Sequence, residues 1–126
     1  MPRLLIVDDN PDSTTIMRGI LEPRGYEIST ASSGKAALTM IQSSPPDLVL
    51  LDVMMPEMSG IEVLQRIKDD ANTARLPVIL VTAKTHDDDV LNGYQYGADY
   101  YITKPFTAKQ LLYGVDLVLG KGERVG

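Results

Sequence analysis

The chain has 126 residues, 44% of them hydrophobic, and a formal net charge of -5. That length fits one domain able to bury roughly two-thirds of its unfolded surface, and its scattered Lys and Arg residues form no basic stripe, so direct nucleic-acid binding is not expected. Cysteine is absent and His86 is the single histidine, which excludes disulfides, thiolate catalysis and Cys- or His-clustered metal sites; any metal must be held by oxygen.

The first element is the apolar run LLIV (residues 4 to 7), which ends in Asp8 and Asp9. A short, wholly apolar run reads as a strand buried on both faces. Asn10 before Pro11 is a helix start, Ile16, Met17, Ile20 and Leu21 form the apolar stripe of that helix, Pro23 frays its last turn and Gly25 stops it. YEIST (26 to 30) is a second strand, and LVLL (48 to 51) is a third that ends in Asp52. Ser59 with Glu62 forms a capping box for the next helix.

VILV (78 to 81) is a fourth strand and ends in Thr82. The stretch from Asp87 to Tyr96 is a weaker helix, because Asn92 and Gly93 lie mid-segment and Gly costs about 1 kcal/mol relative to Ala. YYIT (100 to 103) is the fifth strand, followed by Lys104 and Pro105. Thr107 with Gln110 forms a second capping box, with Phe106 against Leu111 as a hydrophobic staple. No apolar run reaches the roughly 20 residues that span a bilayer, and Met1 to Ile20 lacks the order of a signal peptide, so a cytoplasmic protein without membrane association is expected.

Five strands alternating with five helices predict an α/β fold with a parallel sheet covered on both faces. Runs one, three and four are wholly apolar and belong inside, whereas runs two and five carry Glu, Ser, Thr and Tyr and belong at the edges. With right-handed crossovers the strand order becomes 2-1-3-4-5, the flavodoxin-like doubly wound sheet. The domain is expected over residues 1–120, with 121–126 as a tail or the start of a linker.

In such sheets the ligand crevice lies beyond the carboxyl ends of the strands where the order reverses, here between strands one and three. Asp8, Asp9, Asp52, Thr82 and Lys104 all stand at those ends. Each alone has an ordinary explanation as a cap, a strand-end polar residue or a solvated lysine. Together they are harder to dismiss, because two carboxylates about 5 Å apart repel by roughly 3 kcal/mol at an effective dielectric near 20. Mg2+ suits the set, since it takes one or two carboxylates plus waters and phosphate oxygens. A carboxylate beside Mg2+ can attack phosphorus to form an acyl phosphate, and Asp52, alone at the end of a central strand, is the best nucleophile. Thr82 and Lys104 would grip the phosphoryl oxygens.

Four motifs in order, IVDDN, LVLLDVMMPEMSG, VILVTA and GADYYITKPF, resemble the receiver domain of two-component response regulators, the CheY-like family, over residues 3 to about 119. The resemblance implies that Asp52 accepts phosphate from a histidine kinase or histidine phosphotransfer protein. It implies that Asp8, Asp9, Asp52 and the Met54 backbone carbonyl bind Mg2+, and that Lys104 contacts the phosphoryl group. Thr82 and Tyr101 would be a switch pair, and the peptide before Pro105 would be cis. Met54 and Lys84, at variable positions bordering the site, are expected to tune the lifetime of the phosphorylated state.

The chain is then a signalling phosphoacceptor, not a turnover enzyme; it would catalyse only its own phosphoryl transfer and autodephosphorylation. Its output surface would be the weak helix with the fifth strand and last helix, near Tyr94, Tyr96 and Tyr113. Its partners would be a downstream protein or a fused output domain, and a phosphorylation-dependent homodimer is compatible with the resemblance. Three other readings compete. An aspartyl-phosphate phosphatase usually has a second acid two residues after the nucleophile, where this chain has Met54. A receiver that only binds proteins would not need the intact acidic set, and a flavodoxin would repel its phosphate at DDNPDS.

Overall fold

The computed structural model describes residues 2–83 and 97–120. Lys84, the predicted helix from Asp87 to Tyr96 and the tail after Gly120 lie outside the described residues. Five parallel strands, β1 (Arg3–Val7), β2 (Glu27–Ala31), β3 (Leu48–Asp52), β4 (Val78–Ala83) and β5 (Tyr100–Lys104), form one sheet in the order β2-β1-β3-β4-β5. This is the expected doubly wound topology. Among the described residues the helices are α1 (Pro11–Leu21), α2 (Gly34–Ser43), α3 (Gly60–Asp69) and α4 (Ala108–Gly120).

The side-chain period of two divides each central strand between two core layers. Leu4 and Ile6 of β1 join Leu48, Leu50, Ile79 and Val81 in the layer that receives Met17 and Leu21 of α1 and Leu111 and Val115 of α4. Leu5 and Val7 join Val49, Leu51, Val78 and Leu80 in the layer under Ala37 and Ile41 of α2 and Val63, Leu64 and Ile67 of α3. Leu4 to Val7 are at most 2% exposed. Each such side chain contributes roughly 1.5–3 kcal/mol of burial free energy, which makes a slip of the β1 register prohibitive. The edge strands are only partly buried, as their mixed composition predicts.

Local signals set the helix ends. The Asn10 side chain accepts from the Asp12 N–H at 2.9 Å with Pro11 behind it. Thr107 and Gln110 form the reciprocal box, Gln110 N–H to Thr107 Oγ1 at 3.1 Å and Thr107 N–H to Gln110 Oε1 at 2.8 Å. Phe106 packs against the core layer that contains Leu111. At α3 the Ser59 hydroxyl accepts from the Glu62 N–H, but the Glu62 carboxylate turns outward to Arg66 at 3.5 Å. After α1 the chain tightens into a 3-10 turn, Glu22–Arg24, around Pro23, and Gly25 ends it at φ 94°. Ile16 departs from the expected stripe. The α1 face that meets the sheet centres on Met17 and Leu21, one full turn apart, and Ile16 falls outside it, 57% exposed.

Side chains also close the open rims of the sheet. Arg18 of α1 sends its guanidinium to the Ile28 carbonyl on edge strand β2, at 3.3 Å. At the amino ends of the strands, Arg3 N–H donates to Asp47 at 2.7 Å. There Lys68 of α3 reaches the carbonyls of Leu76 (2.7 Å) and Ala74 (3.2 Å) and lies 3.8 Å from Asp99. Asp99 in turn accepts the Val78 N–H at 2.9 Å. Among the described residues no helix is long and apolar enough to cross a membrane.

Candidate functional site

At the opposite rim, the carboxyl ends of β1, β3 and β5 bring Asp8, Asp52 and Lys104 together. The β1–β3 ladder pairs Ile6 with Leu50 and Val7 with Leu51, so its continuation sets Asp8 beside Asp52. Asp8 is the first residue beyond β1, where its N–H still donates to the Ala31 carbonyl of β2 at 3.1 Å. Its Oδ1 accepts the Asn10 N–H at 2.9 Å, which ties the acid to the elbow that starts α1. Asp9 points to solvent. One oxygen from each of Asp8, Asp9 and Asp52 lies within 4.8 Å of the others.

The Lys104 ammonium reaches across the sheet from β5. It donates to Asp8 Oδ2 at 3.0 Å and to Ser13 Oγ at 3.3 Å, and it lies 3.8 Å from Asp52 Oδ2. Asp8 and Asp52 are 2% and 6% exposed, so their charges act through a poorly screened interior. Burial first, and then the neighbouring Asp8 carboxylate, push the Asp52 carboxyl up to about 6, while Lys104 and the Met54 N–H hold it down. The Met54 N–H donates to Asp52 Oδ1 at 3.3 Å, and the Met54 side chain is exposed at the rim.

The loop after β3 is pinned against that acid. Gly60 donates its N–H to the Val53 carbonyl at 2.9 Å, and a Cβ there would stand 2.2 Å from the Asp52 carbonyl oxygen. No other residue fits that approach. Glu57, in the same loop, holds φ 67°, a left-handed conformation uncommon outside glycine.

Thr82, one residue before the end of β4, is fully buried, and its hydroxyl has no hydrogen-bond partner among the described residues. A buried hydroxyl left unmatched is costly. Tyr101 of β5 is partly buried against the layer under α2 and α3. The peptide between Lys104 and Pro105 is cis. Of the residues singled out from sequence, the structure gathers Asp8, Asp9, Asp52 and Lys104 at one point and sets Met54 and Thr82 at the same rim. It adds Ser13, which a hydroxyl in an ordinary first helical turn did not announce.

Three hard oxygen donors from three carboxylates, offset among the described residues by the Lys104 ammonium, fit a small divalent cation that keeps part of its water shell. The buried nucleophile-type carboxylate beside that cation position suits phosphoryl transfer better than general acid–base hydrolysis.

Comparison with known proteins gives the family. Residues 4–116 match the response regulator receiver domain. The chain is 40% identical over 124 residues to the transcriptional regulatory protein AfsQ1 of Streptomyces coelicolor, covering 98% of this chain and 54% of that protein. It is 41% identical over 116 residues to the phosphate regulon transcriptional regulatory protein PhoB of Pseudomonas aeruginosa, covering 92% of this chain and 51% of that protein. It therefore spans about half the length of the curated relatives it matches. Among solved structures, a CheY-like response regulator receiver domain protein from Methanospirillum hungatei superposes with a TM-score of 0.91 at 30% identity, over 100% of this chain and 99% of that one. The chemotaxis protein CheY4 of Vibrio cholerae superposes with a TM-score of 0.88 at 30% identity, over 94% and 98%. Sequence, topology and the acidic rim thus converge, and the chain belongs to the receiver domain family of two-component response regulators.

Proposed function

We propose that this receiver is an active phosphoacceptor, with Asp52 taking a phosphoryl group from a histidine kinase or histidine phosphotransfer protein in a Mg2+-dependent reaction. The observation that carries the reading is the buried Asp52 carboxylate held 3.8 Å from Lys104 within a cluster of three acids. In the transfer, an Asp52 oxygen bonds to phosphorus as the phosphorus–nitrogen bond of phosphohistidine breaks, and the imidazole leaves with the electron pair. Asp8, Asp9, Asp52 and the Met54 carbonyl would hold the metal. Mg2+ supplies charge neutralisation for the phosphoryl oxygens.

Lys104 supplies a second countercharge from the protein itself, and moving its ammonium from Asp8 toward Asp52 places it against the new phosphoryl group. The buried, unmatched Thr82 hydroxyl supports a role as the donor that turns onto that group. Tyr101, on the next strand, would follow it inward. Met54, exposed at the rim, restricts the attacking water and so sets the lifetime of the acyl phosphate; Lys84 would act there by its charge.

The switched surface would be β5, α4 and the segment from Asp87 to Tyr96. Tyr100 and Tyr113 already pack there with tilted rings, their centroids 6.5 Å apart. A partner protein, a fused output domain or a second phosphorylated copy would read it in the cytoplasm. The 126 residues would make no direct nucleic-acid or membrane contact. Relatives named as transcriptional regulators support control of transcription as the output, exercised through such a partner or fused domain.

The test is incubation with Mg2+ and a small phosphodonor, read by intact mass. Wild type should gain one phosphoryl group, and Asp52→Ala should gain none. An equal gain by the variant would sink the assignment.

A further inference from the structure

The Lys104 ammonium sits among three oxygens, and the nearest carboxylate is not Asp52. It is 3.0 Å from Asp8 Oδ2 and 3.3 Å from Ser13 Oγ, against 3.8 Å from Asp52 Oδ2. The Asp8 side chain is 0% exposed, so its charge must be met from within. The Asn10 N–H meets Oδ1, and Lys104 meets Oδ2. Ser13 stands in the first turn of α1, a turn fixed to the end of β1 through Asn10 and Pro11. Its hydroxyl is therefore presented to the ammonium by rigid backbone and not by a mobile loop.

A divalent cation drawing on Asp8, Asp9 and Asp52 needs an oxygen of Asp8, and it brings two positive charges close to that ammonium. Metal and lysine then compete for the same carboxylate. We propose that Ser13 is a positioning residue that parks Lys104 on Asp8 in the metal-free protein, making metal entry and the release of Lys104 toward Asp52 a single exchange. The proposal rests on the metal reading of the preceding section. Ser13 touches neither metal nor phosphoryl group, yet it helps set the metal affinity, because removing its hydroxyl weakens the internal competitor.

The experiment is calorimetric titration of the full chain with Mg2+ for wild type, Ser13→Ala, Ser13→Thr and Lys104→Met. Ser13→Ala should bind Mg2+ about threefold more tightly, the scale of one modest hydrogen bond. Lys104→Met should bind more tightly still, and Ser13→Thr, which keeps a hydroxyl, should match wild type. A second measurement is acetylation of Lys104 by a small reagent, read by peptide mass. Mg2+ should speed it in wild type, and so should Ser13→Ala without metal. Saturable binding by wild type with no gain in Ser13→Ala overturns the parking role alone. Lys104 reactivity indifferent to Mg2+ overturns it as well, even if Ser13→Ala does not fold. No saturable Mg2+ binding by wild type overturns the metal reading itself, and the proposal with it.

Discussion

The two ends of the sheet use the same side chains for opposite purposes. At the amino ends Lys68 lies 3.8 Å from Asp99, and at the carboxyl ends Lys104 lies 3.8 Å from Asp52. The Lys68 end is balanced. One ammonium faces one carboxylate, both bond to backbone, and the stem of Lys68 packs under Gly97, which turns there at φ 99°. The Lys104 end is not: among the described residues three carboxylates cluster, Lys104 pairs with two of them, Asp8 and Asp52, and a buried threonine hydroxyl lacks a partner. A balanced pair is a structural clasp, whereas an excess of like charge held by a rigid frame is a demand for a ligand. Even the displaced proton affinities fit the division. Burial pushes the Lys68 ammonium down and Asp99 pulls it back, while at Asp52 burial and a second acid push together.

The sharpest way to separate the ends is pH. The folded state raises Asp52 from 3.8 to about 6, so between those values the folded chain holds more protons than the unfolded one. Stability from this group is therefore full below about pH 4 and is lost as pH rises through 6. That rise corresponds to about 3 kcal/mol. In metal-free chemical denaturation, Asp52→Asn should gain on wild type by about 3 kcal/mol between pH 4 and pH 7, and saturating Mg2+ should shrink that gap. A gap independent of pH would show that the acids are not in conflict.

At the balanced end the sign reverses. Lys68→Ala leaves Asp99 without its cation and two carbonyls without their donor, at a cost of about 2 kcal/mol at pH 7. Urea unfolding should show that loss, with Mg2+ affinity unchanged by calorimetry. A coupled loss of metal affinity would mean that the two ends are not independent.

The smallest stability effect belongs to Asp9. Because it is exposed, Asp9→Asn should move the unfolding free energy by less than about 0.5 kcal/mol. Its Mg2+ affinity should nevertheless fall clearly in the same titration. Stability and metal binding moving together at this position would blur the distinction between clasp and site.

Much of this is legible in the sequence alone, for reasons that differ by residue. Wholly apolar runs can only be interior strands, and the sheet rule then carries Asp8, Asp52 and Lys104 to one rim across intervals as long as 96 residues. The capping residues Asn10 and Thr107 announce themselves because their partners lie within three positions. Ser13 and the Lys68–Asp99 clasp do not, since each depends on a distant contact that no local pattern encodes. The preference of Lys104 for Asp8 over Asp52 is likewise a matter of tenths of an ångström, set by how α1 seats on β1. Ile16 shows the limit of periodicity, which gives the spacing of a stripe but not its edges.

Strand β2 leaves one row of backbone groups facing outward. Glu27 and Ala31 turn their hydrogen bonds inward to Pro2 and Asp8, so the alternation of a parallel ladder points the backbone N–H and C=O groups of Ile28 and Thr30 outward at the edge. The guanidinium of Arg18 occupies the Ile28 carbonyl. A sixth strand arriving at this edge would have to evict a cation to begin pairing, which makes the arginine a guard against open-ended polymerisation of the sheet.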